Sequence, residues 1–244
     1  MTRARRSLPS ILGSFFDRRR FLLLTPGVGP EHVHIAGVLV IILFSLGVHE
    51  AAHAWTAWRL GDDTAKQLGR ISLNPLVHLD FFMSLVLPAM MLVTTGGRWA
   101  FGGAKPVPVN IARLRHPTRD YMLVSLAGPV SNVLLGVALT ALLWIFMEAG
   151  AVHEESMSWG WLAAGIQMNF LLAFFNLIPC PPLDGSRVVA YFLPEAVRWR
   201  WMRLDAFGFV ILVGLYFLRV IHYLYGKIFY PFYDFYFFHF VPLG

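Results

Sequence analysis

The sequence predicts an all-α, multi-pass membrane protein, and three observations carry that expectation. Of its 244 residues 57% are hydrophobic, only 14% are charged, and the mean hydropathy is +0.60. Soluble domains carry about 25% charged residues. The apolar residues fall in long blocks: no charge stands from Tyr121 to Met147, and none between Ser156 and Leu183. Each block exceeds the ~20 residues that a helix needs to span a bilayer. An ordinary soluble enzyme is excluded.

Residues 1–33 form a basic arm with Arg3, Arg5, Arg6 and Arg18 to Arg20, then a Pro/Gly-rich stretch ending at Pro30. Phe21 to Leu24 is too short for the 7–15-residue apolar core of a signal peptide, so the arm is expected at the membrane interface. The first span runs from His34 to Trp58, with Glu50 its only charge and Trp55 and Trp58 at the interfacial end. A polar loop follows with Arg59, Lys66 and Arg70. Residues 81–95 are apolar but short, contain Pro88, and run into Gly96-Gly97 and Gly102-Gly103. Two long helices are predicted at about 121–147 and 159–180, and a further apolar segment at about 205–225. The aromatic tail, 226–244, is expected at the interface. The domain is expected to span 34–225 with its core at 34–190, without internal repeats or a soluble module.

Charge sets the expected topology. Basic loops at 59–70, 113–119 and 187–203 are cytoplasmic by the Lys/Arg bias. The helix at 121–147 then leaves the cytoplasm and that at 159–180 returns, so 81–110 must start and finish on one side as a re-entrant hairpin. Irregular backbone at that depth is tolerated only against protein or a water-filled cavity. The net charge of +6 reads as orientation, because no basic run interleaved with aromatics lies outside the span flanks. No nucleic-acid partner is expected.

A lone cysteine, Cys180, excludes an internal disulfide and Cys-rich zinc knuckles, so a metal site here needs His, Asp and Glu. The one charge inside the first span lies in His49-Glu50-Ala51-Ala52-His53. Residues i and i+4 share a helix face, so both imidazoles can hold one Zn²⁺. Glu50, beside the first ligand, is placed as a general base. A solvated helix face would explain such residues in a soluble protein. In a span, each ionisable group costs ~2.5–3.5 kcal/mol at the bilayer centre, which argues for function. A catalytic zinc takes three protein ligands, and Asp184 is the best third. It follows Pro179, Pro181 and Pro182, which break the preceding helix, and precedes Gly185, which permits a tight turn. The structural alternative is that Asp184 caps the next helix.

Taken together, His49-Glu50-Ala51-Ala52-His53 and the later Asn176-x-x-Pro179-x-Pro181-Pro182-Leu183-Asp184-Gly185 resemble the site-2 protease family of intramembrane zinc metalloproteases. The resemblance extends to Gly61 to Ala65, Gly69 to Pro75, Ala104 to Asn110 and Leu126 to Asn132, and it looks like the compact branch without PDZ or CBS domains. It departs at Asp80-Phe81, where relatives usually have proline after the aspartate. It implies His49, His53 and Asp184 as ligands of one zinc, Glu50 as catalytic carboxylate, and Asn176 as a polar group near the substrate carbonyl. It implies a transmembrane protein substrate, a homo-oligomer as an allowed state, and a bacterial inner membrane with the site toward the cytoplasm. The hairpin at 81–110 would offer a strand edge to an unwound substrate.

The remaining histidines are expected at surfaces or interfaces, with His78 a weak candidate for supporting the metal. Gly128 and Asn132, four apart on one helix, suggest close helix approach at least as much as catalysis. The rival functions are a zinc transporter and a non-catalytic metal-binding membrane protein. A transporter has no need of a carboxylate beside the first ligand, and a dead protease would have lost one of the four site residues.

Overall fold

The computed structural model describes residues 30–80, 105–153 and 156–242. The arm at 1–29 and most of the expected hairpin, 81–104, lie outside them. Every regular element among the described residues is helical.

Three helices are long and apolar enough to cross a membrane. The first, α1 (Pro30–Arg59), is 30 residues long and ends at the basic Arg59. A short turn, α2 (Thr64–Gln67), follows it. The second long helix, α3 (Pro117–Glu148), starts on a proline at its first position, where the missing N–H costs nothing. The third, α4 (Met157–Leu177), is capped by the Ser156 hydroxyl, which accepts from Trp159 N at 3.2 Å. It ends where Pro179 forbids continuation. α3 packs against both α1 and α4, and these also meet each other. On α4 the inward face is rich in small residues, including Gly160, Ala163, Ala164 and Gly165. Small side chains let helix axes approach closely in lipid, where burial alone supplies little drive.

Two short helices follow, α5 (Asp184–Phe192) and α6 (Glu195–Arg203). Gly185 serves a different purpose from the turn expected of it. Its φ is not in the left-handed region; instead, a Cβ there would run into the carbonyls of Leu177 and Ile178. Only glycine lets α5 begin directly against the end of α4.

The apolar segment expected at 205–225 is not one continuous helix. It breaks into α7 (Gly208–Phe217) and α8 (Val220–Leu224), joined through Arg219 at a left-handed φ of 59°. A π-turn (Tyr225–Phe229) leads into α9 (Tyr230–Phe240), and the halves Glu195–Phe217 and Val220–Phe240 bend by 66°. The tail also departs from a purely interfacial role. Phe229, Tyr233, Phe237 and Val241 are buried against Leu143, Trp159, Ile166 and Phe170. Their spacing of four residues puts them on one helix face, while Phe232 and Phe235 point outward.

The three basic loops meet at one end of the bundle. Arg113 pairs with Asp63 at 2.6 Å, Arg115 N bonds to Leu60 O, and Arg198 reaches Thr118 Oγ1. Lys105 N donates to His78 O at 2.7 Å, so the chain leaves and re-enters the described structure side by side.

Candidate metal centre

Helix α1 carries His49 and His53 on one face, and the proline-broken end of α4 delivers Asp184 at the start of α5. The Nε2 atoms of the two imidazoles are 3.0 Å apart. Asp184 Oδ2 lies 3.3 Å from His49 Nε2 and 3.4 Å from His53 Nε2. Among the described residues this is the one group of three His, Cys, Asp or Glu side chains that could hold a metal. Both histidines are buried. Asp184 is not a cap, since its helix has no side-chain cap hydrogen bond.

The outer nitrogens test whether a metal fits. His49 Nδ1 contacts Asn132 Oδ1 at 2.6 Å, and His53 Nδ1 contacts Val124 O at 2.7 Å. Both partners are acceptors, so both Nδ1 atoms carry a proton, and in the neutral ring each Nε2 then presents a lone pair. In neutral rings two lone pairs and a carboxylate oxygen then converge, a donor set that fits a divalent cation. Tetrahedral zinc with bonds of ~2.0–2.1 Å would separate its ligands by about 3.3 Å, close to the spacings found.

α3 shapes the other side. A Cβ at Gly128 would overlap His53 Nε2 and lie 2.6 Å from His49 Nε2, so α3 can approach the imidazoles only through glycine. The next residue, Pro129, lacks the N–H that would bond Ser125 O. The same turn of helix supplies Val124 O to His53.

Glu50 and Asn176 line one cavity of about 210 Å³ with His49, His53 and Asp184. Glu50 Oε2 accepts from Val107 N at 3.2 Å, which ties it to the extended segment after Lys105. That segment is held in turn by Asp62, whose Oδ2 accepts from Asn110 N at 2.6 Å and whose Oδ1 accepts from Thr64 N and Oγ1. Asn176 donates one amide hydrogen to Leu172 O at 3.0 Å, which leaves the other available. A larger cavity of about 780 Å³ adjoins this one and shares Val109, Tyr121 and Arg187 with it; Tyr191, Trp199 and Met202 line its far side.

The expectation for His78 is not met. It is buried rather than interfacial, and its Nε2 contacts Ser72 O at 2.9 Å, apart from the metal-site cavity. Sequence reasoning overlooked Asp62, Val124 and Asn169. Asp62 carried a signal, since an Asp two residues before a Thr commonly makes an Asx turn.

Comparison with known proteins agrees with this chemistry. Residues 144–221 match the profile of peptidase family M50. The chain is 37% identical over 182 residues to YwhC of Bacillus subtilis, a candidate zinc metalloprotease, covering 73% of this chain and 79% of that one. It is 30% identical over 202 residues to Rip2 of Mycolicibacterium smegmatis, likewise a candidate zinc metalloprotease, covering 81% and 74%. No solved structure matches. The chain belongs to peptidase family M50, the site-2 protease family of zinc metalloproteases.

Proposed function

We propose that this protein hydrolyses peptide bonds in or beside transmembrane segments of membrane proteins, with His49, His53 and Asp184 holding zinc and Glu50 moving the proton. The observation that carries this reading is the convergence of two imidazole Nε2 atoms and a carboxylate within 3.4 Å, beside a second carboxylate that shares their cavity. His49 lies ten residues before Arg59, or ~15 Å along the helix, which is well inside an apolar layer ~30 Å thick.

Zinc, when bound, supplies a Lewis acid that acidifies water and polarises a carbonyl. Glu50 accepts the proton from the attacking water and returns it to the leaving amine. The amide hydrogen that Asn176 does not give to Leu172 O is available to the developing oxyanion. The larger cavity, which shares Val109, Tyr121 and Arg187 with the site, is room for the substrate chain on one side of the scissile bond. The basic loops gathered at this end argue for a cytoplasmic site and, with the bacterial relatives, for the inner membrane. The catalytic unit is taken to include the aromatic tail, which packs on α3 and α4 through Phe229, Tyr233, Phe237 and Val241.

Glu50→Gln tests the reading. The purified variant is expected to keep one zinc per chain while cleavage of a membrane-embedded substrate falls by about 10²–10⁴-fold, the worth of a general base. Cleavage at the original rate would overturn it.

A further inference from the structure

Three buried polar side chains from three helices connect to His49. Ser45 on α1, Asn132 on α3 and Asn169 on α4 are each 0% exposed. Burying such groups in an apolar bundle is costly unless they are paired, and here each is paired with the others in a single direction.

The direction follows from counting hydrogens. Ser45 Oγ donates its one hydrogen to Ile41 O at 2.7 Å, so it can only accept from Asn169 Nδ2, 2.9 Å away. Asn169 Nδ2 gives its second hydrogen to Gly165 O at 2.9 Å. Its Oδ1 is therefore turned to Asn132 Nδ2, at 2.9 Å. Asn132 Nδ2 also faces Ser45 O at 3.4 Å, which leaves Oδ1 as the only end it can offer to His49 Nδ1. An amide flipped anywhere along this chain would set like against like, acceptor facing acceptor or donor facing donor.

We infer that Asn132, oriented by Asn169 and Ser45, is a positioning residue that holds His49 in the tautomer whose Nε2 is free for the metal. The inference rests on His49 being a zinc ligand. His53 needs no such device, because its Nδ1 donates to the backbone carbonyl of Val124, which no side-chain change removes. An asparagine suits the depth, since it accepts one hydrogen bond without bringing a charge.

The test uses the full chain in detergent and measures zinc affinity by chelator competition. Asn132→Leu, which keeps the volume and removes the acceptor, is expected to weaken zinc binding about 10–100-fold, the usual cost of losing such a partner. Asn132→Asp, which keeps an acceptor for His49 Nδ1 but faces Asn169 Oδ1 with a second oxygen, is expected to restore part of it, and Asn169→Leu to give a smaller loss than Asn132→Leu. In metal-stripped native protein at alkaline pH, ¹⁵N spectra of labelled histidine, assigned by comparison with His49→Gln, are expected to show the His49 proton on Nδ1. A folded Asn132→Leu with native zinc affinity would overturn the inference, as would a proton found on Nε2 of His49. The second measurement holds even if the variants fail to fold. Cleavage surviving in Glu50→Gln would sink the protease mechanism but would not move these readouts.

Discussion

The two ends of the helix bundle are built on different principles. Around His49 and His53 the helices meet through small residues and hydrogen bonds: Gly128, Asn132, Asn169 and Ser45. Where the chain ends, α9 meets α3 and α4 through rings, with Phe229, Tyr233 and Phe237 set among Trp159, Phe170 and Leu143. Hydrogen bonds have direction and small residues leave no slack, so the first interface admits one arrangement. Aromatic contacts gain from area and tolerate several geometries, as the spread of interplanar angles from 10° to 89° in this cluster indicates. Precision is placed where a metal must be gripped, and bulk where helices need only be held together.

That contrast can be broken experimentally. The largest effect is expected from Gly128→Ala, whose methyl would enter the space of both imidazoles. Zinc retention should collapse, and cleavage should fall by about 10²-fold or more, as for a ligand displaced by an ångström. Near-native zinc content would show that α3 can retreat, and that this interface is no tighter than the other.

At the aromatic end, Phe237→Ala removes a fully buried ring. Thermal unfolding in detergent should come earlier, by less than the ~3–5 kcal/mol of a soluble core, because lipid tails or detergent can fill the space. Cleavage per folded molecule should stay within about twofold. A loss as large as that of Gly128→Ala would mean the two ends are mechanically one.

Trp199→Ala lies between the two regimes, on the larger cavity and more than half exposed. It should raise KM several-fold and leave kcat nearly unchanged, the pattern of lost uniform binding. A fall in kcat alone would remove this cavity from the substrate path. The smallest effect is expected from Arg113→Ala. Its partner Asp63 is partly exposed, and hydrogen bonds from Gln67 and Arg113 lower that carboxyl below its ordinary range. Exposed pairs of this kind contribute little, so cleavage and zinc content should stay within about twofold of native.

Much of this was readable in the linear chain. His49, Glu50 and His53 are local: a helix with 3.6 residues per turn puts i and i+4 together wherever it sits. The spans followed from uninterrupted apolar blocks, and the shared side of the three basic loops from charge bias. The stripe Phe229, Tyr233, Phe237, Val241 was equally periodic, yet composition cannot separate a ring facing lipid from one facing a neighbouring helix. Asp184 could be proposed from its prolines and glycine, although its meeting with two imidazoles 131 and 135 residues earlier depends on how α4 lies across α1.

Local periodicity and the energetics of the bilayer were enough to establish the class of protein and its candidate metal-binding helix. Which way Asn132 points, why residue 128 has no side chain, and what Asn169 and Ser45 are for depend on the rotation of three helices about their own axes. That rotation arises from packing among residues far apart in the chain, and no single segment contains it.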